Sequence, residues 1–340
     1  MPKNEAVVYI TRKIPDPGIE ILESVADVYV NDCGPQNPPS KTEIIEDVTE
    51  LEADGLLCML PDEIDRDVLT ASPDLEVVST LSVGFDHIDL EAANDYGIAV
   101  GHTPGVLSET CADLVWALVL ATARRIVEGY RFVTDGEWKT WAPEAIVGQD
   151  VYGSTLGIIG LGKIGTAVAK RGAGFDIDVC YTARSRKPER EAELEELGVE
   201  VTHVSLDELL RRSDLVSVNV PLTDETEGLL GRREFQQMDD DALLVNTSRG
   251  EVIQTDALYE ALAADEISRV CLDVTDPEPL PPTHRLLEFA PDRLIVTPHI
   301  GSSSVPTRNK MAEMAAENIV ARFRDEQLPN AVVSPPNPGV

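Results

Sequence analysis

The chain has 340 residues, of which 43% are hydrophobic and 5% aromatic, a globular composition with enough length for two domains. Its 61 acidic and 28 basic side chains leave a net charge of −33, which repels nucleic acids and anionic membranes and argues against both as partners. The longest apolar run, Leu114–Ala123, is too short to span a bilayer. The first residues lack the zones of a signal peptide, so we expect a cytoplasmic protein.

The acidic residues are spread over the whole chain rather than gathered in a tail. They recur in segments such as "PDEIDRD", "EREAELEELGVE" and "DDD" at 239–241. A solvated surface accounts for some of this charge but hardly for all of it. The pattern predicts adaptation to molar salt, as in a halophile, because counterions would screen the self-repulsion.

The cysteines indicate neither a disulfide framework nor a metal site. They are odd in number and far apart, and no C-x-x-C spacing occurs. We expect reduced thiols without chemistry, at Cys33, Cys58, Cys111, Cys180 and Cys271. Nothing else in the sequence calls for a metal.

Apolar runs of strand length alternate with helical patterns from one end of the chain to the other. In chain order the runs are "AVVYI", "DVYV", "GLLCML", "LEVVSTL", "GIAVG", "TLGIIG", "IDVCYT", "DLVSVNV", "ALLVNT", "RVCLDV" and "RLIVTP". A long helical pattern covers 108–136 between the two sets of runs, with Ser108 as a candidate N-cap. Another helix, at 307–323, follows the last run, and we expect no strand after it.

Continuous apolar runs separated by helices are typical of parallel sheets covered on both faces. The two sets therefore predict an α/β fold with two doubly wound parallel-sheet domains. The simplest arrangement inserts residues 103–298 as a second domain into a first domain built from 1–102 and 299–340. We expect a flavodoxin-like substrate domain, a Rossmann domain for a dinucleotide, and a cleft between them.

The segment "TLGIIGLGKIGTAVAKR" contains the glycine pattern of a dinucleotide site. Gly160, Gly162 and Gly165 form G-x-G-x-x-G between a predicted strand and a predicted helix. The bare pattern is common, but here the strand, the helix and the next strand all arrive in the right order. We expect the turn at Gly160, the pyrophosphate at Gly162 and close helix–strand packing at Gly165.

The end of the second strand bears on which dinucleotide binds. Enzymes that use NAD place an acidic residue there, whereas this chain has "YTARSRK", with Arg184, Ser185, Arg186 and Lys187. Three cations in four positions favour a 2′-phosphate site, so NADP(H) is the preferred cofactor and NAD(H) a possible one. The alternative is a solvated basic loop before the next helix.

Three strand ends offer chemically useful side chains. "LVNTSRG" offers Arg249, "CLDVTDPEP" offers Asp273 and Glu278, and "VTPHIG" offers His299. Open parallel sheets bind ligands at the carboxyl ends of their strands. An isolated histidine at such a place is more often structural, but together with an arginine and a glutamate it indicates catalysis.

Eight segments, in this order over nearly the whole chain, are similar to those of a known family. They are "STLSVGFDHIDL", "TPGVLSETCADLVWALVLATARR", "GEWKTW", "GIIGLGKIG", "VPLTDETEGLL", "VNTSRGEVI", "LDVTDPEPLP" and "TPHIGSSS". Together they resemble the D-2-hydroxyacid dehydrogenase family. Within the family the chain is most similar to the glyoxylate/hydroxypyruvate reductases. The resemblance implies that a small 2-keto acid is reduced to the D-2-hydroxy acid by hydride transfer.

The resemblance also implies roles for individual residues. His299 would protonate the keto oxygen, and Glu278 would hydrogen-bond the imidazole and fix its tautomer. Arg249 would anchor the substrate carboxylate and polarise the carbonyl. The backbone amides of Val83 and Gly84 would hold the same carboxylate.

The remaining expected contacts concern the cofactor, the edge of the substrate site and a second subunit. Ser302 would lie near the substrate, and Trp141 would reach the neighbouring subunit's site in a homodimer. Pro221 and Asp273 have the alternative roles of ending a strand and capping a turn, and Trp141 that of packing. The expected cofactor contacts are Gly162, Lys163, Ile164, Pro221, Thr247, Asp273 and Gly301.

The sequence departs from the family at two positions near the domain crossing. His102 stands where relatives usually carry Asn or Tyr, and Gly105 where they usually carry Asp. Three alternatives remain open. The chain could reduce another 2-keto acid, it could be a phosphoglycerate dehydrogenase, or it could be a non-catalytic dinucleotide-sensing protein on the same fold.

Overall fold

The computed structural model describes residues 6–32, 34 and 37–334, which belong to two compact units. The first unit combines Met1–Leu107 with Ser303–Val340, and the second is Ser108–Ser302. The predicted boundaries, after residues 102 and 298, lie a few residues earlier. His299 therefore belongs to the second unit and not, as the predicted boundary had it, to the first.

The N-terminal part of the first unit alternates strands with helices. Ser40 caps the second helix in a reciprocal capping box with Glu43, and Gly97 ends the fourth in a left-handed conformation. In chain order the elements are β1 (Val7–Ile10), α1 (Asp16–Glu23), β2 (Asp27–Val30), α2 (Lys41–Glu50), β3 (Gly55–Cys58), α3 (Arg66–Leu69), β4 (Val77–Thr80), α4 (Leu90–Tyr96) and β5 (Ala99–Gly101).

The second unit opens with two helices and continues as an alternating α/β chain. Its elements are α5 (Ser108–Ala123), α6 (Ile126–Thr134), β6 (Thr155–Ile159), α7 (Lys163–Gly172), β7 (Asp178–Thr182), α8 (Pro188–Glu195), β8 (Val201–His203), α9 (Leu206–Arg212), β9 (Leu215–Val218), α10 (Arg232–Phe235), β10 (Leu243–Asn246), α11 (Thr255–Ala263), β11 (Arg269–Leu272) and β12 (Leu294–Val296). Short 3-10 helices cover Ala173–Phe175, Gly250–Val252 and Arg285–Phe289.

The chain then returns to the first unit with α12 (Val305–Phe323) and β13 (Ala331–Val333). Strand β13 pairs antiparallel with β5, so the expectation of no strand after the last helix is wrong. The reason is that β13 is a three-residue, partly exposed edge strand, too short to show a pattern.

The sheet orders confirm the predicted fold class. The first sheet runs β13-β5-β4-β3-β1-β2 and is parallel except for β13, and its parallel part has the 2-1-3-4-5 order of a doubly wound fold. The second sheet runs β12-β11-β10-β9-β6-β7-β8, which contains the 3-2-1-4-5-6 order of a Rossmann sheet. Every residue of β3, β4, β9 and β10 is buried, as expected for strands covered on both faces.

All eleven predicted strand runs contain a strand, but the long helix predicted over 108–136 is two helices. The chain breaks between α5 and α6, where Arg125 takes a left-handed backbone with φ +51°. Ser108 is the first helical residue rather than the cap. Helix α5 is largely buried, whereas α6 has no buried residue. The sequence pattern did not reveal this difference in burial.

Four cysteines, Cys58, Cys111, Cys180 and Cys271, are buried, and none of the four is in a disulfide. Burial raises the pKa of Cys58 and raises that of Cys271 to about 12, so both stay protonated at neutral pH. Cys33 lies outside the described residues. In the described part of the chain, no helix combines the length and the apolar character needed to cross a membrane.

Candidate active site

Three neighbouring strands deliver the candidate catalytic residues to one edge of the second sheet. Strands β10, β11 and β12 pair side by side and run parallel, so their carboxyl ends meet at the same edge. Arg249 follows β10, Glu278 follows β11 and His299 follows β12. The order of the strands therefore explains how residues far apart in the chain come to lie together.

The imidazole of His299 is hydrogen-bonded to the carboxylate of Glu278. The distance from Nδ1 to Oε1 is 2.7 Å, and the two side chains are 31% and 41% exposed. An ionised carboxylate only accepts hydrogen bonds, so Nδ1 of His299 carries a proton and donates it. The other ring nitrogen, Nε2, is then the atom that can release or take up a proton.

Glu278 is ionised over a wider pH range than an ordinary glutamate. Burial opposes its ionisation, but the hydrogen bond from His299 and the charges of His299 and Arg249 outweigh burial, and its pKa lies below the usual value. Its second oxygen, Oε2, accepts a hydrogen bond from the N–H of Thr275 at 3.2 Å. The carboxylate is thus fixed on both sides, and Arg249 is near enough to act on it electrostatically.

The segment that carries His299 has a strained backbone held by Asp273. His299 itself has φ +53°, a left-handed conformation that is uncommon for a residue with a side chain. Asp273 is 1% exposed, and its carboxylate accepts hydrogen bonds from Thr297 Oγ1 at 2.6 Å, Ile300 N at 2.9 Å and Gly301 N at 2.8 Å. Its backbone carbonyl accepts another from the N–H of His299, at 2.8 Å.

These bonds lie within the second unit and agree with the alternative interpretation of Asp273, in which it closes a turn. Contact with the cofactor, the first interpretation, stays a prediction. Either way, Asp273 orients His299, because it fixes residues on both sides of the imidazole.

Asn246, which was not among the predicted site residues, shapes the turn that carries Arg249. Asn246 is fully buried, and its Nδ2 donates to the carbonyl of Arg249 at 2.7 Å. Its Oδ1 accepts from the N–H of Ser248 at 3.0 Å and from Ser248 Oγ at 2.8 Å. An asparagine at the end of a continuous apolar strand is a signal for such a turn, since it can bond the backbone two residues ahead.

The glycine-rich turn fits a dinucleotide. Gly162 is the N-cap of α7, is exposed and lacks a side-chain cap, and no acidic residue lies in the first helical turn. A Cβ at Gly162 would meet nothing within 4 Å, which leaves room for a phosphate against the backbone. Lys163 is exposed beside it, and Ile164 is half-buried. The helix end, its free N–H groups and the cation therefore suit a pyrophosphate.

Two other glycines of this turn are there for close packing. Gly160 has φ +97°, and a Cβ there would lie 2.6 Å from the carbonyl oxygen of Asn219. A Cβ at Gly165 would lie 2.2 Å from the carbonyl oxygen of Gly160. A side chain at Gly165 would push α7 away from the turn, and one at Gly160 would clash with the backbone that follows β9.

The cations after β7 are not equally available to a ligand. Arg186 makes a bidentate ion pair with Glu191, with Nε 2.9 Å from Oε1 and Nη2 2.7 Å from Oε2. The buried Tyr181 donates to the same carboxylate at 2.6 Å and accepts from the N–H of Lys187 at 2.8 Å. Arg184 is 83% exposed and lies 3.6 Å from an exposed Glu225. Of the two arginines, Arg184 is therefore the more available to a ligand.

The other predicted site residues lie in several places. In the first unit, half-buried Val83 and Gly84 follow the carboxyl end of β4. In the second unit, Pro221 is exposed after β9, Thr247 is half-buried after β10, and Gly301 and Ser302 are buried after β12. Ser185 is exposed, and the side chain of Trp141 is 79% exposed.

The chain is similar in sequence and in structure to several known proteins. Residues 116–301 match the family model described as "D-isomer specific 2-hydroxyacid dehydrogenase, NAD binding domain". A glyoxylate reductase of Thermofilum pendens is 42% identical over 96% of this chain and 94% of its own length. The crystal structure of the TT0316 protein of Thermus thermophilus is similar with a TM-score of 0.86 and 44% identity, over 96% of this chain and all of that one.

A third similar protein is an NADPH-dependent glyoxylate/hydroxypyruvate reductase from Sinorhizobium meliloti, whose structure contains NADP and malonate. Its TM-score is 0.81 at 26% identity, over 98% of both chains. Because the matched family model describes an NAD-binding domain, the cofactor is a nicotinamide dinucleotide. On the sequence match, the strand order and the glycine-rich turn together, the chain belongs to the D-isomer specific 2-hydroxyacid dehydrogenase family.

Proposed function

We propose that this protein reduces a small 2-keto acid, glyoxylate or hydroxypyruvate, to the corresponding 2-hydroxy acid, in the D configuration where the product is chiral. The observation that carries the proposal is the hydrogen-bonded pair of His299 and Glu278 beside Arg249, on one edge of the dinucleotide-binding sheet. The relatives named glyoxylate reductase, which match over nearly their whole length, support the choice of substrate.

His299 is the proposed proton donor. The bound dinucleotide supplies the hydride, which arrives at the keto carbon. As the carbon–oxygen double bond opens, its electron pair goes to the oxygen, and Nε2 of His299 delivers a proton there to give the hydroxyl group. Glu278 holds the ring by Nδ1, which points Nε2 away from the carboxylate. Its negative charge attracts the positively charged, proton-donating form of the ring.

Arg249 is the proposed carboxylate anchor. A guanidinium presents paired N–H donors that match the two oxygens of a carboxylate. Its charge would also stabilise the negative charge that develops on the keto oxygen. We propose the amides of Val83 and Gly84 as further donors to the substrate carboxylate and Ser302 as a residue near the substrate.

NADPH is the proposed reductant. Arg184 and Ser185 are exposed beyond the end of β7, and no acidic residue occupies the segment 183–187 where a ribose-binding carboxylate would stand. The NADPH-dependent relative from Sinorhizobium meliloti supports the same preference. Ser185 and Lys187 would add a hydroxyl and a third cation to the 2′-phosphate site.

A homodimer is the proposed assembly, formed by the segment 126–152. Seven of its large hydrophobic residues are between 54% and 79% exposed, namely Ile126, Tyr130, Val133, Trp138, Trp141, Val147 and Tyr152. Exposed apolar side chains in this number mark a surface that another protein covers. Trp141 of one subunit would limit the size of the substrate in the other.

Sedimentation of the protein in molar KCl measures its oligomeric state. A monomer under these conditions would contradict the proposed homodimer.

Four buried thiols outside any disulfide suit a reducing compartment, and we propose that the protein acts in the cytoplasm.

The direct test is a spectrophotometric assay of the purified protein in high KCl. NADPH and NADH are each offered with glyoxylate, hydroxypyruvate and pyruvate, and cofactor oxidation is followed. We expect the fastest turnover with NADPH and one of the first two acids. Binding of NADPH without turnover of any 2-keto acid would contradict the proposed enzyme and favour a dinucleotide-sensing protein.

A further inference from the structure

The loop Ser82–Gly84 of the first unit is held by its carbonyl groups. The carbonyl of Ser82 accepts from Thr103 N at 2.8 Å and from Thr103 Oγ1 at 2.9 Å. The carbonyl of Gly84 accepts from Ser82 Oγ at 2.5 Å. The carbonyl of Val83 faces Nδ1 of His102 at 2.9 Å.

The N–H groups of the same loop are left available. In the part of the chain that the structure describes, no group accepts a hydrogen bond from the N–H of Val83 or Gly84. Successive peptide groups with bonded carbonyls and available amides present donors to an anion. Whatever fixes the carbonyls therefore also fixes the direction of the amides.

His102 is anchored for this task from its backbone outward. It follows β5, its N–H donates to the carbonyl of Asn330 at 3.1 Å, and its carbonyl accepts from Asn318 Nδ2 at 3.1 Å. Its ring meets Phe85 edge-on, with centroids 5.5 Å apart and an interplanar angle of 77°. The ring is thus held against the loop, with Nδ1 towards Val83.

A carbonyl oxygen can only accept, so Nδ1 of His102 carries the hydrogen of this bond. Neutral and protonated forms of the ring can both donate it. The contact therefore does not depend on the charge of His102.

We propose that His102 is a positioning residue for the reaction, which aims the amide of Gly84 at the substrate carboxylate, because the carbonyl of Val83 that it holds shares one planar peptide group with that amide. The inference rests on the proposed reduction of a 2-keto acid. It adds a specific role for a side chain that touches the loop and not the substrate.

Three variants separate this role from a general effect on folding. His102→Asn places an amide donor near the position of Nδ1, His102→Gln places it nearer that of Nε2, and His102→Leu has no donor. Loss of the hydrogen bond that orients the Gly84 amide should raise the KM for glyoxylate roughly five- to tenfold in the Leu and Gln variants. The Asn variant should restore most of the wild-type KM.

The kcat at saturating glyoxylate and the dissociation constant for NADPH should stay within about twofold of wild type in all three variants. Melting temperatures show whether each variant is folded. If the Leu variant does not fold, the comparison of Asn with Gln decides. An unchanged KM in the Leu and Gln variants would overturn the inference, and so would an Asn variant as impaired as Gln. Absence of turnover in the wild-type protein would instead count against the proposed function.

Discussion

His299 shows at the scale of single residues what the sequence could and could not predict. Its position at a strand end, together with Arg249 and Glu278 at neighbouring strand ends, identified it as a candidate acid, and the structure places it against Glu278. The left-handed backbone at φ +53° and the four hydrogen bonds that Asp273 accepts were not predictable. They depend on contacts between residues more than 20 positions apart.

The pair of His299 and Glu278 leads to a prediction about pH. Because its pKa lies below the ordinary value of 4.5, Glu278 stays ionised above that pH, and its pairing with His299 is lost only as pH falls through the lowered pKa. The kcat for reduction should therefore show no loss due to Glu278 between about pH 7 and pH 5.

Glu278→Gln, which keeps a hydrogen-bonding group but removes the charge, should lower kcat roughly tenfold across that range, because bonds to charged groups are worth about 1.5–3 kcal/mol and neutral ones about 1 kcal/mol. Steady-state kinetics from pH 5 to 8 measures both profiles. A Gln variant with wild-type kcat would contradict the role of the carboxylate charge.

The two arginines after β7 should contribute unequally to NADPH selectivity. Arg184 is free to reach a 2′-phosphate, whereas Arg186 is already paired with Glu191. Arg184→Ala should raise the KM for NADPH roughly tenfold or more, since a charge-assisted hydrogen bond contributes about 1.5–3 kcal/mol.

Arg186→Ala should have the smaller effect, and both variants should leave the KM for NADH nearly unchanged. Equal losses for NADPH and NADH would reject the 2′-phosphate site. The sequence could not distinguish these arginines, because the partner Glu191 lies on the next helix and its contact depends on the fold.

At the scale of elements, continuous apolar runs were sufficient to locate eleven strands and the doubly wound order. Of the four edge strands, β2 and β12 were predicted, but β8 and β13 were missed, since each has three residues and partly exposed side chains. The break between α5 and α6 was missed because Arg125 has no glycine or proline beside it to signal a turn.

The turn between β6 and α7 offers a matched pair of glycine variants. Gly165→Ala would place a Cβ 2.2 Å from the carbonyl oxygen of Gly160 and should lower the melting temperature and abolish cofactor binding. Gly162→Ala meets open space, so it should fold normally but bind NADPH more weakly, because its methyl group occupies the approach of the pyrophosphate.

Gly174→Ala, also in open space and outside the turn, is the control and should change neither property. Calorimetric titration with NADPH and thermal melts measure both effects. Gly162→Ala with wild-type NADPH affinity would argue against a pyrophosphate at this helix end.

At the scale of the whole molecule, the net charge of −33 dominates the expected behaviour in solution. Most ion pairs that the structure describes have at least one exposed partner, and acidic groups such as Asp239, Asp240 and Asp241 cluster at the surface. Exposed pairs contribute little to stability, so unpaired acidic groups are left to repel one another at low salt.

The melting temperature should therefore rise by roughly 10 °C or more from dilute buffer to molar KCl. Screening should add a few kcal/mol to the free energy of unfolding, and each kcal/mol raises the melting temperature by about 2–4 °C. Asp240→Asn with Asp241→Asn should raise the melting temperature in dilute buffer but hardly in molar KCl. Equal stability of the wild-type protein at both salt concentrations would show that the acidic surface is not a salt adaptation.

The proton-donor role of His299 is tested most directly by the turnover of His299→Ala with saturating NADPH and glyoxylate. General acid catalysis contributes about a hundred- to ten-thousandfold, so kcat should fall by that factor while the dissociation constant for NADPH is unchanged. His299→Asn, which tolerates the left-handed backbone, should lose as much activity and so separates the proton from the loop geometry. Near-normal turnover in either variant would contradict the account.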